Sequence, residues 1–150
     1  MQRAFSASID VAPDQLFAVV SDLTTYPDWL DVVDSVEPAG DDAWFVTLRA
    51  RIGPFARSKR LRMVRNPNTE PSAVRFERAE TDGRDHSAWV LSAVVTTDPD
   101  APDDPAKSAV TLDLDYGGSL WTGPLEAVLD NAAKRATTKL QAYVAERPRA

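Results

Sequence analysis

The stretch LEAVLDNAAKRATTKLQAYV, residues 125–144, decides the fold. Its apolar residues recur at intervals of three and four, which predicts one face of a long amphipathic helix. These residues are Leu125, Val128, Leu129, Ala132, Ala136, Leu140, Tyr143 and Val144. Most of the chain before this helix alternates like strands, so one helix has to cover the apolar face of a whole sheet. A single helix cannot fill a broad curved sheet, and we therefore expect a cavity between the two.

The chain upstream of the helix has the apolar–polar alternation of strands, with one interruption near its start. A first strand is predicted around residues 5–11, where Phe5, Ala7, Ile9 and Val11 alternate with small or polar residues. Pro13 then suits the first turn of a short helix, and a second short helix is predicted through residues 26–30. About six further strands precede the terminal helix, which predicts an α+β fold.

The Gly53-Pro54 pair predicts the turn of a first hairpin and sets its register. If these two residues form the loop, Ile52 faces Phe55. Counting back from there places Leu48 opposite Lys59, Val46 opposite Leu61 and Trp44 opposite Met63. Both strands then present their apolar residues on one face, as a half-buried hairpin requires.

A second hairpin is predicted around Asp82-Gly83, a dipeptide that favours a tight two-residue turn. Pairing Thr81 with Arg84 places Phe76 beside Trp89 and Val74 beside Leu91. In this register the single histidine, His86, lies on the outer face near the turn.

The composition and net charge of the chain limit the classes of function that it can have. The 150 residues suit one domain, and the chain contains no cysteine and one histidine, so we expect no metal and no cofactor. A net charge of −6 argues against nucleic-acid binding. There is no signal-like start and no run of eighteen apolar residues, so we expect a soluble cytoplasmic protein without stable membrane insertion. The sequence leaves the oligomeric state open.

The order of elements, together with residues 9–30, IDVAPDQLFAVVSDLTTYPDWL, resembles the START-like (SRPBCC) superfamily. Within it the chain is most similar to the bacterial polyketide cyclase/dehydrase and lipid-transport branch. The resemblance implies a helix-grip fold, in which a curved antiparallel sheet of about seven strands wraps around the long terminal helix. It also implies an elongated cavity that accepts lipids, polyketides or other apolar molecules. It transfers no catalytic residue to this chain, because the matched segment is structural.

We expect the ligand to contact residues that share the inward face of the strands or the apolar face of the helix. The predicted ligand-binding residues are Trp44, Val46, Leu48, Arg57, Lys59, Leu61, Met63, Phe76, Arg78, Trp89, Leu91, Leu114, Tyr116, Trp121, Leu125 and Leu129.

The basic residues of the first hairpin allow more than one interpretation. Arg57 and Lys59 share the inward face, where they could hold the anionic head of an amphipathic ligand. Alternatively, the hairpin extends past the helix and both side chains lie in solvent. On the outer face, Arg49, Arg51, Arg60 and Arg62 either attract an anionic surface or, the simpler reading, pair with acids such as Glu37 on neighbouring strands.

Two classes of function follow. The leading hypothesis is a binding or carrier protein for a small or medium hydrophobic ligand, such as a lipid, a polyketide or an aromatic molecule. The alternative is a cyclase or dehydratase that uses the same cavity, in which Glu80 could serve as a general base oriented by Arg78 rather than form a solvated ion pair with it. A docking module that uses the basic strands is a third possibility.

Overall fold

Seven strands of this chain form one antiparallel sheet, in a computed structural model that describes residues 1–52, 54–66, 72–118 and 122–147. The strands follow the order β1-β7-β6-β5-β4-β3-β2 across the sheet. Their bounds are β1 Gln2–Ile9, β2 Val33–Pro38, β3 Ala43–Ile52, β4 Phe55–Arg65, β5 Ala73–Arg78, β6 Trp89–Thr97 and β7 Ser108–Tyr116. Helix α1 (Pro13–Val20) and a 3₁₀ helix (Leu23–Asp28) follow β1, and helix α2 (Thr122–Glu146) follows β7.

The sheet curls around α2. This helix contacts β1, at one edge of the sheet, and also β3, next to the opposite edge. One helix can reach both sides because the sheet is bent into a half-barrel. The predicted α+β helix-grip fold, with two short helices after the first strand, is confirmed. No helix in the described ranges has the length and apolar character needed to cross a membrane.

The first short helix begins where its proline predicts, and the second lies at Leu23–Asp28 rather than through residues 26–30, because Asp22 starts it earlier. Pro13 occupies the first turn of α1 together with Asp14, whose charge suits the positive end of the helix. Asp22 then caps the 3₁₀ helix, because its carboxylate accepts a hydrogen bond of 3.0 Å from the backbone N–H of Thr24. Tyr26 and Trp29 are fully buried, so this segment is anchored to the core by its aromatic side chains.

The register predicted for the first hairpin is confirmed. Ile52 pairs with Phe55, Leu48 with Lys59, Val46 with Leu61 and Trp44 with Met63. The inner face of β3 and β4 therefore carries the apolar residues that the alternation indicated.

The register predicted for the second hairpin is wrong by two residues. Phe76 pairs with Leu91 and Val74 with Ala93. Residues 79–88 form a loop rather than a two-residue turn, because the side chains of Arg78 and Glu80 make contacts of their own there. A shift of two residues keeps the alternation, so Phe76, Trp89 and Leu91 still face inward.

Helix α2 packs unevenly along its length. Ala132, Ala136, Leu140 and Val144, from the middle of the helix to its C-terminal end, are buried in the core. In its first half, Leu125, Val128 and Leu129 are only half-buried. The space beside this first half is where the core is incompletely filled.

Candidate ligand-binding cavity

A cavity of about 80 Å³ lies between the inner face of the sheet and the first half of α2. Its walls come from the 3₁₀ helix and the chain that follows it, from the five strands β2, β3, β4, β6 and β7, and from α2. The lining residues are Leu23, Tyr26, Leu30, Val32, Val33, Val46, Leu48, Leu61, Met63, Trp89, Leu91, Leu114, Leu125 and Leu129. All of them are aliphatic or aromatic, which makes this a site for an apolar group.

Nine of the residues predicted to bind the ligand line this cavity. They are Val46, Leu48, Leu61, Met63, Trp89, Leu91, Leu114, Leu125 and Leu129. Alternation places the strand residues on the inner face of the sheet, and the three-to-four spacing places the helix residues on the face of α2 that is turned toward it.

Three predicted aromatic residues lie behind the cavity wall. Trp44 packs edge-on against Phe76, with ring centroids 6.0 Å apart. Tyr116 packs against Trp89 at 4.6 Å, so it supports a lining residue without bordering the cavity itself. Trp121, also predicted to bind the ligand, lies outside the described residues.

The structure does not place Arg57 or Lys59 on the cavity wall. Arg57 is exposed, and its guanidinium lies 5.5 Å from the centroid of the Phe55 ring, near the tip of the hairpin. Arg57 therefore follows the solvent alternative, because the β3–β4 hairpin extends beyond the cavity. Lys59 is half-buried, and this desolvation lowers the pKa of its amine, with a further contribution from the nearby positive charge of Arg78.

Arg78 and Glu80 form a half-buried ion pair, with 3.0 Å between Arg78 Nε and a carboxylate oxygen of Glu80. Arg78 also donates to the backbone carbonyl of Ser87 at 3.2 Å and contacts Nδ1 of His86 at 3.3 Å. The opposite nitrogen of His86 lies 2.9 Å from Asp82. These contacts tie the loop between β5 and β6 to the end of β5.

The environment of Glu80 favours its charged form. Burial by itself would raise the pKa of this carboxyl, but hydrogen bonds from the backbone N–H of Arg62 and from Arg78 outweigh it, and the pKa is lowered. A carboxylate held in this state beside a guanidinium is a weak proton acceptor. Neither Arg78 nor Glu80 is among the cavity-lining residues.

Five lining residues were not predicted from the sequence, and all come from the stretch that runs from the 3₁₀ helix to the first residue of β2. They are Leu23, Tyr26, Leu30, Val32 and Val33. Alternation could not find the first four, because they lie on the 3₁₀ helix and the turns after it, and Val33 only begins the strand. The available signal was the density of apolar residues between Leu23 and Val33, in a stretch too short to form a core of its own.

Tyr26 is the one lining residue with an ordinary titratable group. Its hydroxyl donates a 2.7 Å hydrogen bond to the backbone carbonyl of Val20, and burial, assisted by the charge of Asp22, raises the pKa of the phenol. The phenol of Tyr26 is therefore neutral, and its hydroxyl already donates to Val20. The cavity wall therefore offers a ligand apolar contact and no ionised group.

On the outer face of the sheet, two arginines make local contacts. Arg60 lies 3.7 Å from Glu37 and stacks over Phe45, with its guanidinium 3.9 Å from the ring centroid. Arg62 donates to the backbone carbonyls of Ala79 and Ala39. Arg60 therefore follows the simpler interpretation, pairing with an acid on a neighbouring strand, whereas Arg62 is held by backbone carbonyls instead of an acid.

Comparison with solved structures finds the same architecture in proteins of low sequence identity. A START superfamily protein from Mycobacterium smegmatis matches with a TM-score of 0.68 and 14% identity, covering 97% of each chain. A conserved protein from Geobacillus kaustophilus matches with a TM-score of 0.68 and 13% identity, covering 97% of this chain and 96% of the other.

An enzyme is also among the similar structures. The Zhui aromatase/cyclase from Streptomyces sp. R1128 matches with a TM-score of 0.62 and 16% identity, covering 100% of this chain and 96% of the other. Identities at this level show a shared fold. A search of curated protein sequences finds no match.

A family model gives the assignment. The model described as polyketide cyclase / dehydrase and lipid transport matches residues 3–146, which is nearly the whole chain and includes every described strand and helix that borders the cavity. This agrees with the hydrophobic ligand-binding fold built up above. The chain belongs to the polyketide cyclase/dehydrase and lipid-transport family.

Proposed function

We propose that this protein binds and carries a small or medium hydrophobic ligand in the cavity beside the first half of α2. The single observation that carries the proposal is the lining itself, which is aliphatic and aromatic throughout. Transfer of apolar surface from water into such a site contributes about 25 cal/mol for each Å² buried. Protein interiors are close-packed and seldom contain a cavity of this kind. An apolar ligand would restore the missing packing contacts with its walls.

The cavity has to widen for a ligand of lipid or polyketide size. Its volume of about 80 Å³ is well below the ~300–1,000 Å³ of typical ligand sites. The residues best placed to move are Leu125 and Leu129 of α2 and Leu30 after the 3₁₀ helix, because they are only half-buried. Displacement of these side chains opens the cavity without disturbing the sheet.

The character of the lining favours a carrier over an enzyme. General acid–base catalysis needs an acid or a base within hydrogen-bond reach of the substrate. Tyr26 is the one such group on the wall, and its hydroxyl is committed to Val20. The ion pair of Arg78 and Glu80 is the alternative's best candidate, but it lies off the wall and its charges are mutually satisfied.

Native mass spectrometry of the purified protein tests the proposal directly. We expect a small apolar molecule to co-purify, and extraction should identify its class. The neutral dye N-phenyl-1-naphthylamine should also bind, and its fluorescence should fall when the extracted molecule displaces it. Leu129→Trp fills the cavity and should abolish both signals.

Val94→Trp is the matched control, because Val94 is exposed on the opposite face of β6. It should retain the dye and the co-purified molecule. If the wild-type chain neither retains a molecule nor binds the dye, the carrier proposal fails. If it converts the extracted molecule into a cyclised or dehydrated product, the enzymatic alternative replaces it.

A further inference from the structure

The end of the β3–β4 hairpin concentrates positive charge in an otherwise acidic chain. Seven of the 17 basic residues lie in residues 43–69, a stretch without a single acid, whereas all 23 acids lie elsewhere in the sequence. The hairpin tip, which consists of the paired residues 49–52 and 55–58, carries Arg49, Arg51 and Arg57, and all three arginines are exposed. The tip is therefore a positive surface on a protein with a net charge of −6.

The arginines of the hairpin tip differ in their partners from those nearer the base of the hairpin. Arg60 and Arg65, which lie nearer the base, are 3.7 and 3.4 Å from the carboxylates of neighbouring acids. In the part of the chain that the structure describes, no carboxylate lies within ion-pair distance of the three arginines of the tip. Their charge is not neutralised locally and is available to an anionic partner.

An exposed aromatic ring lies among these charges. Phe55 is 60% exposed, more than any other large hydrophobic side chain of the described residues. Alternation places Phe55 and Arg57 on one face of the hairpin, with the guanidinium 5.5 Å from the ring centroid. It places Arg49 and Arg51 on the other face. Positive charge thus accompanies the ring on both faces of the tip.

The hairpin tip is joined directly to the cavity wall. Leu48 lines the cavity, and the tip begins at the next residue. The backbone N–H of Arg49 donates a 2.9 Å hydrogen bond to the carbonyl of Val32, which also lines the cavity. The tip therefore lies beside the segment that contains Leu30, one of the half-buried residues that would move to widen the cavity.

We propose that the hairpin tip docks this protein reversibly on an anionic lipid membrane. The arginines interact with the acidic head groups, and Phe55 enters the boundary between head groups and acyl chains. An aromatic side chain is stable at that depth without a pocket shaped to receive it, whereas a folded acidic protein would need such a pocket. The acids carried elsewhere on the chain repel the membrane, so the tip is the part that approaches it.

Docking goes beyond the proposed function. It depends on the charges and the aromatic ring of the hairpin tip, and not on which molecule the cavity holds, so either proposal can fail without the other. Where both hold, docking brings the cavity wall around Leu30 next to the phase in which an apolar ligand dissolves.

Co-sedimentation with lipid vesicles tests the docking proposal. We expect the wild-type chain to bind vesicles of equal parts phosphatidylglycerol and phosphatidylcholine, and not vesicles of phosphatidylcholine alone. Raising the salt concentration from about 0.05 M to about 0.5 M should release it, because salt screens exposed charges. Replacing Arg49, Arg51 and Arg57 together by Gln should weaken binding about a hundredfold, since each arginine contributes about fivefold. Phe55→Ala should weaken it about fivefold.

The matched control removes the same amount of charge from other exposed positions. It combines Arg84→Gln in the loop between β5 and β6, Lys134→Gln on α2 and Arg147→Gln directly after α2. This variant should lose less than about threefold in affinity, because its substitutions lie outside the docking surface. Both triple variants should keep the thermal unfolding midpoint of the wild type, since the replaced side chains are exposed.

The outcomes are distinguishable. Equal losses in the two triple variants, or equal binding to vesicles with and without phosphatidylglycerol, would overturn the docking proposal. Binding to soluble poly-glutamate that is tighter than binding to vesicles and unaffected by Phe55→Ala would also overturn it, because the partner would then be an acidic polypeptide. A chain that binds N-phenyl-1-naphthylamine but no vesicles keeps only the carrier proposal, and one that binds the anionic vesicles but not the dye keeps only the docking proposal.

Discussion

At the scale of single residues, two buried polar groups differ in whether they have a hydrogen-bond or ion-pair partner. Arg78 and Glu80 show the satisfied case, with side chains only 8% and 17% exposed and a close ion pair between them. Trp89 shows the unsatisfied case, because its buried N–H faces no acceptor in the described chain. The first arrangement fixes the loop between β5 and β6, whereas the second leaves a buried donor without a partner among the described residues.

The pair of Arg78 and Glu80 gives a stability prediction. Glu80→Gln should lower the free energy of unfolding at neutral pH by about 1–3 kcal/mol, because a mostly buried guanidinium loses its charged partner. The matched control is Glu77→Gln, which removes the partner of Arg75 from an ion pair with side chains 39% and 55% exposed. An exposed pair contributes about 0–1 kcal/mol. Urea titration measures both variants.

The same pair predicts a pH dependence. The pKa of Glu80 is lowered from its ordinary value of 4.5 in the folded protein. Its stabilising contribution is therefore present above pH 4.5 and is lost as the pH falls through the folded-state pKa. The difference in stability between wild type and Glu80→Gln should shrink on acidification to about pH 3. A difference that is constant with pH would contradict this account of the ion pair.

At the scale of elements, α2 divides into two parts with different roles. The part from Ala132 onward holds the fold together, with Ala132, Ala136 and Leu140 buried in the core. The first half covers the cavity with side chains that are only half-buried. The small alanines bring one half of the helix close to the sheet, and the larger leucines of the other half face unfilled space.

This division predicts different results for one substitution at two positions of α2. Leu140→Ala should cost about 2–5 kcal/mol of stability, because Leu140 is fully buried and a new cavity forms in the packed core. Leu129→Ala should cost only about 1 kcal/mol, since that side chain is half-buried beside an existing cavity. Thermal and urea unfolding compare the two. Equal losses would show that both halves of α2 are packed alike.

At the scale of the whole molecule, the curled sheet forms a continuous wall of the cavity, and the first half of α2 with the chain after the 3₁₀ helix forms a less tightly packed one. Strand pairing is continuous from β1 to β2, whereas Leu30 after the 3₁₀ helix and Leu125 and Leu129 of α2 touch the cavity with partly exposed side chains. Regions with little buried apolar contact open more easily than a packed core. Ligand entry is therefore expected through the helical wall.

Hydrogen exchange checks this expectation. Backbone amides of residues 128–131 should exchange about tenfold faster than those of residues 136–140, although both lie within one helix. Saturation with N-phenyl-1-naphthylamine should slow exchange in residues 128–131 and around Tyr26, and leave residues 136–140 unchanged. Uniform protection along α2, with or without the dye, would place the route of entry elsewhere.

The sequence by itself determined the class of fold, the first hairpin and most of the cavity wall. Alternation fixes which face a strand residue occupies, and the three-to-four spacing does the same for a helix. That is why the sequence alone assigns Val46, Leu61, Leu91 and Leu129 to one interior, which the cavity lining contains.

Only the tertiary structure decided the features that depend on contacts between residues far apart in the sequence. Strand parity is unchanged by a slip of two residues, so the pairing of Phe76 with Leu91 rather than Trp89 needed the contacts of Arg78 and Glu80. The lining residues of the 3₁₀ helix follow neither strand alternation nor α-helical spacing, so no periodic pattern in the sequence predicts them. Whether the N–H of Trp89 finds a partner depends on every neighbour that folding brings to it, and for that reason no local pattern could have shown it.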